Sequence, residues 1–159
     1  MKLDFVRKEY SSVDIAYLSG IIDGEGSIYI GCYSHNPKTG TPHYQTKIEV
    51  SNTSETLIDW LIKTFEGNKT MYSAKQLPKN SRRAVYRWTI WSDRVAHLCE
   101  IMLPYLVIKK REAEIMIEMR ETYKKTHMQK GQQGTQPIEK SVLADRERLY
   151  KEIKSLHIR

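Results

Sequence analysis

DIAYLSGIIDGEG, residues 14–26, is a short apolar segment that ends in two acidic residues set among glycines. Ile15, Leu18 and Ile22 recur at helical spacing, and the pair of serines just before the segment is typical of a helix N-cap. We therefore predict a helix over residues 13–23. The two acidic residues then fall at the C-terminal end of this helix.

A row of small residues follows the same predicted helix. Ala16, Gly20 and Gly24 repeat every fourth residue, with Ser19 beside them. Small side chains in this register allow a second helix to approach to backbone contact. Because glycine in a helix costs about 1 kcal/mol relative to alanine, Gly20 requires a packing reason. We predict a tight helix pair, and the residues expected at its seam are Ala16, Ser19, Gly20 and Asp23.

Glu25 stands where the predicted helix ends. A carboxylate is unfavourable beside the partial negative charge of a helix C-terminus unless a cation neutralises it. If two such helices pair side by side, two glutamates meet, and like charges that close cannot both stay ionised without a metal. The residues therefore predict a divalent-cation site at a helix–helix seam. An ordinary amphipathic helix that ends in a solvated acidic turn is the alternative.

Composition limits the class of protein. The 159 residues suffice for one domain with a core, and 40% hydrophobic with 28% charged content is typical of a soluble globular protein. A net charge of +7 predicts a polyanionic partner, either nucleic acid or acidic lipid. Because neither a run of about 18 apolar residues nor an apolar signal segment is found, we expect no membrane partner and no secretion. The expected location is intracellular, either cytoplasmic or organellar (mitochondrion or chloroplast).

Cysteine and histidine placement argues against two kinds of metal site. Cys32 and Cys99 are the only cysteines and form no CxxC pair, so neither a zinc site nor a disulfide framework is indicated. The five histidines are scattered and form no HExxH motif. We expect them to be surface, groove-facing or packed side chains rather than metal ligands.

Alternating polar and apolar residues predict two pairs of strands. The first pair covers residues 27–34 and 43–51, joined by a turn sequence, and the second covers about 69–75 and 84–91. One face of the first pair mixes donors, acceptors and aromatic rings: Tyr29, Tyr33, His35, His43, Gln45, Lys47 and Glu49.

This polar sheet face has two interpretations. A face exposed only to water could carry such residues, but their mixture suits base edges in a major groove, which admits a two-stranded ribbon. In the second interpretation the other strand pair adds Ser73, Lys75, Arg87 and Thr89 to the DNA-facing surface. The loop between those strands is basic, and Arg82 and Arg83 in it suit phosphate contacts.

Helical periodicity and capping residues account for most of the remaining chain. A polar Gly/Gln-rich stretch separates a core domain over residues 1–126 from a C-terminal segment over 141–159, and we predict a linker at 127–140. The predicted helices begin after Ser54 and end before Gly67, cover 93–102, run from about 109 to 125, and cover 141–156.

The nine residues LSGIIDGEG, 18–26, resemble the signature of the LAGLIDADG homing endonucleases, with Ser and Gly for the two alanines and Glu for the last Asp. The order helix–strand–strand–helix–strand–strand–helix also matches that family's αββαββα core. The resemblance implies an α+β fold with an antiparallel DNA-binding sheet and extra C-terminal helices. A single copy of the motif implies a homodimer, with the glycine-bearing helices at its two-fold axis.

The resemblance also implies an activity, namely site-specific, metal-dependent cleavage of both strands of a long pseudo-palindromic DNA target in intron homing. The family's metal ligand maps onto Glu25, with the carbonyl of Gly24 as an additional ligand. Mg²⁺ is the expected ion, and Mn²⁺ is expected to substitute for it. Solvent-ordering residues map by position onto Asn52 and Lys109, and Lys110 is an alternative to Lys109.

Three alternatives to this interpretation stay open. Residues 109–111 could be a solvated helix start or a phosphate clamp rather than part of a catalytic site. The scaffold could serve an RNA maturase or a non-catalytic DNA-binding protein. A basic structural protein unrelated to the family would show only salt-sensitive, sequence-independent binding.

Overall fold

Helix α1 (Ser12–Glu25) begins at a capping serine: the hydroxyl of Ser11 accepts a hydrogen bond from the backbone N–H of Asp14 at 3.1 Å. The structure is a computed structural model that describes residues 9–33, 40–76, 78, 82–128 and 138–157. The helix extends two residues beyond the predicted end. This extension places Glu25 in the last turn of the helix itself.

Within the described residues, four strands form one antiparallel sheet in the order β1–β2–β4–β3. Ile48 in β2 lies opposite Ile28 in β1 and Ile90 in β4, and all three isoleucines are buried, so the core lies on this face. The strands are β1 (Gly26–Tyr33), β2 (His43–Asn52), β3 (Asn68–Tyr72) and β4 (Val85–Trp91).

The helices complete the order αββαββα and continue beyond it, which confirms the predicted fold class. In the part of the chain that the structure describes, no helix is long and apolar enough to cross a membrane. The remaining helices are α2 (Glu55–Phe65), α3 (Asp93–Met102), α4 (Lys110–Met128) and α5 (Lys140–Leu156).

Helix α5 packs onto α4 through a buried arginine. The Nε of Arg146 donates to the hydroxyl of Thr122 at 3.0 Å and an Nη donates to the Thr122 carbonyl at 3.1 Å. The guanidinium lies 3.9 Å from the ring centroid of Tyr123, and burial lowers the pKa of Arg146. Leu149 and Ile153 of α5 join the same hydrophobic core as the sheet. Nine residues of the predicted linker, 129–137, lie outside the described residues.

Strand β3 is shorter than predicted. It ends at Tyr72, and residues Ala74–Gln76 form a 3₁₀ turn instead of continuing the strand. The backbone N–H and the hydroxyl of Ser73 donate to the side-chain oxygen of Gln76 at 2.9 and 3.0 Å. These bonds close the turn, so the prediction of a strand over residues 69–75 is wrong at its C-terminal end.

We predict that Ile48→Ala lowers the free energy of unfolding by about 2–5 kcal/mol, because it leaves a cavity in the centre of the sheet. Ile48 is 0% exposed between the other two isoleucines. Urea denaturation at one fixed protein concentration measures the change. Met71→Ala is the control, because Met71 on β3 is 55% exposed. Equal effects of the two substitutions would contradict the placement of the core.

Candidate active site and nucleic-acid interface

The last turn of α1 meets the end of β2 through Glu25 and Asn52. The side-chain amide nitrogen of Asn52 donates to a carboxylate oxygen of Glu25. The other end of the amide, the Asn52 oxygen, accepts from the backbone N–H of Ser54 at 2.7 Å. Because that bond requires the oxygen on its side, the nitrogen is the atom that faces Glu25.

The last turn of α1 also holds the segment that precedes α4. The carboxylate of Asp23 accepts from the backbone N–H groups of Val107 at 2.7 Å, Ile108 at 3.2 Å and Lys109 at 2.9 Å. The Nζ of Lys109 donates to the backbone carbonyl of Asp23 at 2.6 Å. Carbonyls in a last helical turn lack a following N–H partner, so the lysine both satisfies one of them and lies where the helix dipole favours a cation.

These contacts keep the Asp23 carboxylate ionised. Partial burial by itself would raise the pKa of Asp23, but the three backbone N–H donors and the charge of Lys109 outweigh it and lower the pKa. Asp23 is therefore a hydrogen-bonding group at the end of α1 whose charge is balanced within its own chain.

The predicted catalytic residues Glu25, Asn52 and Lys109 thus come from three different elements to one end of α1. Glu25 and Gly24 are exposed, and a Cβ added at Gly24 would meet nothing within 4 Å. A carboxylate and a backbone carbonyl are the hard oxygen ligands that Mg²⁺ prefers. Among the described residues, no group of three or more His, Cys, Asp or Glu could hold a metal ion. These two residues fit a hard divalent cation and could supply part of its ligands.

The exposed face of α1 carries most of the residues predicted for the seam. Ala16 and Gly20 are exposed, and a Cβ added at Gly20 would meet nothing within 4 Å. Ser19 is different: it is 0% exposed, and its hydroxyl donates to the carbonyl of Ile15 at 2.7 Å. With 3.6 residues per turn, position 19 falls on the buried stripe of Ile15 and Ile22. Its assignment to the seam is wrong.

The outer face of the sheet carries an ion-paired cluster at its centre. The Nζ of Lys47 lies 2.5 Å from a carboxylate oxygen of Glu49, and an Nη of Arg87 lies 3.6 Å from the same oxygen. Lys47 also lies 5.4 Å from the ring centroid of Tyr29 and 5.8 Å from that of Trp91. Although partial burial lowers the pKa of Lys47, its bonds to Glu49 and Tyr29 raise the pKa overall.

Other residues predicted for this face lie around the cluster. Tyr33 pairs with His43 at the far end of β1 and β2, and Gln45 lies opposite a glycine.

Thr89 faces the same side but is only 4% exposed, so the prediction that it offers surface to DNA is wrong. His35 lies outside the described residues, and Arg82 and Arg83 are exposed before β4.

The register of β3 corrects two further predictions. Thr70 lies opposite Arg87, so the residues of β3 that share its face are Asn68, Thr70 and Tyr72. Ser73 and Lys75 were assigned to this face, but both follow the end of the strand. Because side chains alternate with a period of two, an assignment based on positions 73 and 75 selects the opposite face.

Two aromatic residues of the outer face were missed. Trp91 lies beside Lys47, and the hydroxyl of Tyr72 accepts from an Nη of Arg87 at 3.3 Å. The alternation through Arg87 and Thr89 extends by two residues to Trp91, which is a signal present in the sequence. Tyr72 required the register of β3 against β4, which alternation within either strand alone does not specify.

No protein-family model and no curated protein matches this sequence. Solved structures do resemble the fold. One is the homing endonuclease I-CvuI in complex with its target in the presence of Ca, with a TM-score of 0.68, 16% identity, and coverage of 91% of this chain and 82% of that chain. Another is the archaeal intron-encoded homing endonuclease I-Vdi141I complexed with DNA, with a TM-score of 0.67, 11% identity, and coverage of 91% and 84%.

A third similar structure is the I-LtrWI LAGLIDADG homing endonuclease bound to target DNA, with a TM-score of 0.59 and 14% identity. The match covers 91% of this chain but only 45% of that chain. The α+β architecture with a four-stranded antiparallel sheet agrees with these structures. This chain therefore has the fold of the LAGLIDADG homing endonucleases.

Proposed function

We propose that this protein is a site-specific, metal-dependent DNA endonuclease that acts as a homodimer on a long pseudo-palindromic target. The observation that carries the proposal is the convergence of Glu25, Asn52 and Lys109 at the exposed end of α1. Similar structures support it, because I-CvuI was solved with its target and I-Vdi141I was solved with DNA.

The chain's own residues suit phosphodiester hydrolysis. Bound divalent ions would activate a water and stabilise the leaving oxygen, and we propose Mg²⁺, with Mn²⁺ as a substitute, held by Glu25 and the carbonyl of Gly24. Asn52 fixes the orientation of the Glu25 carboxylate, because its own amide is held at the other end by Ser54. Lys109 would place a positive charge near the phosphate, on which negative charge develops in the transition state.

The number and position of these residues support a homodimer. One chain carries one Glu25 at the end of one α1, whereas cleavage of both strands requires a site for each strand. Ala16, Gly20 and Gly24 leave an exposed face of α1 on which a second α1 could pack closely. The chain covers 45% of the I-LtrWI chain, so that protein is long enough for two units of this size.

The outer face of the sheet would contact one half of the target. Lys47, Arg87 and the neighbouring aromatic rings suit phosphates and base edges. Glu49 at the centre of this face is unsuited to a phosphate, because a carboxylate repels it. It suits a base-edge donor, such as the exocyclic amine of cytosine in the major groove. We therefore propose that this face recognises sequence as well as charge.

We predict that Glu25→Gln lowers the cleavage rate by about 10³-fold or more, because the bound metal supplies several kcal/mol of transition-state stabilisation. The wild-type target is first selected from a plasmid library with Mg²⁺. Cleavage is then measured on that target, and binding is measured by gel shift with Ca²⁺, where the variant should resemble the wild type. Glu147→Gln on α5, whose carboxylate pairs with Lys151, is the control. A saturated library without any site-specific break would refute the proposed activity.

We predict that Gly20→Leu yields a folded monomer. The added side chain has open space within its own chain and improves helix propensity by roughly 1 kcal/mol, but it blocks the close approach of a second α1. Sedimentation with target DNA measures the stoichiometry, and circular dichroism measures the fold. Ala144→Leu at an exposed position of α5 is the control and should stay dimeric. A dimeric Gly20→Leu variant would place the interface elsewhere.

We predict that Glu49→Gln tightens binding to random-sequence duplex and weakens discrimination between targets. Loss of the carboxylate frees Lys47 and Arg87 for phosphates, so the dependence of log K on log salt should steepen by up to about one unit for each cation freed. Fluorescence anisotropy across a salt series measures both effects. Glu147→Gln makes the same charge change on α5 and should leave the slope unchanged, and equal slopes for all three proteins would contradict a DNA-facing role for Glu49.

A further inference from the structure

We infer that Asp23 is a positioning residue for the proposed cleavage reaction, because it fixes Lys109 beside the helix end that carries Glu25. Asp23 itself would touch neither the DNA nor the metal. It acts through the main chain of residues 107–109. This inference rests on the proposed function and adds to it a residue whose only route to the reaction is another side chain.

The geometry holds Lys109 at both of its ends. Its backbone N–H donates to the Asp23 carboxylate at 2.9 Å, and its Nζ donates to the Asp23 carbonyl at 2.6 Å. A lysine side chain has four rotatable bonds and rarely adopts one position without restraint. Two attachments to the same residue restrict both the start and the end of that side chain. The carboxylate of Asp23 thus holds the start of the Lys109 side chain in the place from which its ammonium group reaches the main-chain carbonyl of the same residue.

The segment around Lys109 depends on this anchor because its neighbours bury little surface. Val107 is 83% exposed and Ile108 is 71% exposed, so their side chains contribute little packing within the chain. The buried Leu106 precedes residues 107–109, and α4 begins immediately after Lys109. Between those two fixed points, three consecutive N–H groups donate to the carboxylate of Asp23.

A purely structural role for Asp23 makes a different prediction. If the carboxylate served only to stabilise the start of α4, its loss would lower stability and would act on cleavage independently of Lys109. If it acts through Lys109, its loss should have little further effect once the Lys109 ammonium is gone. A double-mutant cycle separates the two roles, because residues that act as a unit are strongly non-additive.

The experiment compares Asp23→Asn, Lys109→Met and the double variant in single-turnover cleavage of the wild-type target. Each single substitution should lower the maximal rate by about 10- to 100-fold, the range expected for a misplaced catalytic group. DNA affinity should change little, so the loss appears in kcat rather than in KM. The double variant should be no slower than the slower single variant. Multiplicative losses in the double variant would overturn the inference.

A second readout does not depend on cleavage. Amide hydrogen exchange in the protein without DNA and metal should speed up by about tenfold or more at residues 107–109 in Asp23→Asn, because their acceptor is weakened. Asp14→Asn is the matched control, since Asp14 lies in the first turn of the same helix and accepts from the Ser11 hydroxyl. Unchanged exchange at residues 107–109 in Asp23→Asn would overturn the inference.

Asp23→Glu provides a further variant in case the amide substitution prevents folding. It keeps the charge but moves the carboxylate by one methylene, so it should lower kcat only in proteins that retain Lys109. An equal loss in the Lys109→Met background would overturn the inference. The outcomes are distinguishable from failure of the proposed function: wild-type protein that cleaves no target refutes the endonuclease, whereas active wild type with multiplicative losses refutes only the role of Asp23.

Discussion

The C-terminal end of α1 carries two carboxylates where the helix dipole disfavours negative charge, and the surrounding structure supplies the groups that stabilise them. Asp23 receives three backbone N–H donors and lies beside Lys109. Glu25 receives the neutral amide of Asn52. The elements that supply these donors, β2 and the segment before α4, are distant in sequence, so the fold must form before this helix end is stabilised.

The two faces of the sheet differ in the same way, because one is buried and the other carries charges that are paired within the chain. The inner face buries isoleucines at the centre and fixes the strands against the helices. On the outer face, Glu49 pairs with Lys47 and Arg87, so the free protein does not present bare positive charge at its centre. An anionic partner must therefore compete with an internal carboxylate, which penalises contacts by charge alone and favours contacts that also satisfy Glu49.

Local features of the chain were predictable from its sequence, and pairings between distant segments were not. The capping serine, the apolar stripe of α1 and the element order all appear in short-range patterns, and the resemblance to a known signature indicated Glu25, Asn52 and Lys109. The assignment of Ser73 and Lys75 was wrong because β3 ends at Tyr72 and pairs with β4 so that Thr70 lies opposite Arg87, a register that alternation within one strand does not specify. The partners of Asp23 lie 84 to 86 residues away in sequence, so no local pattern could predict them. The prediction that Ser19 lies at the seam was wrong because a shift of one residue turns a helical side chain by about 100°.

The different surroundings of the Asp23 and Glu25 carboxylates affect how closely the α1 helices of two copies could pack. Two α1 helices packed along their small residues would bring four carboxylates to one place, and that much like charge would oppose association. Asp23 does not contribute to this repulsion in full, because Lys109 and the N–H groups of its own chain balance it. In such a pair the charge left between the helices would be that of the two Glu25 carboxylates, which a divalent cation could neutralise. In the proposed dimer, the residue that contacts Lys109 would therefore also lower the repulsion between the paired helices and so favour a cation site between them.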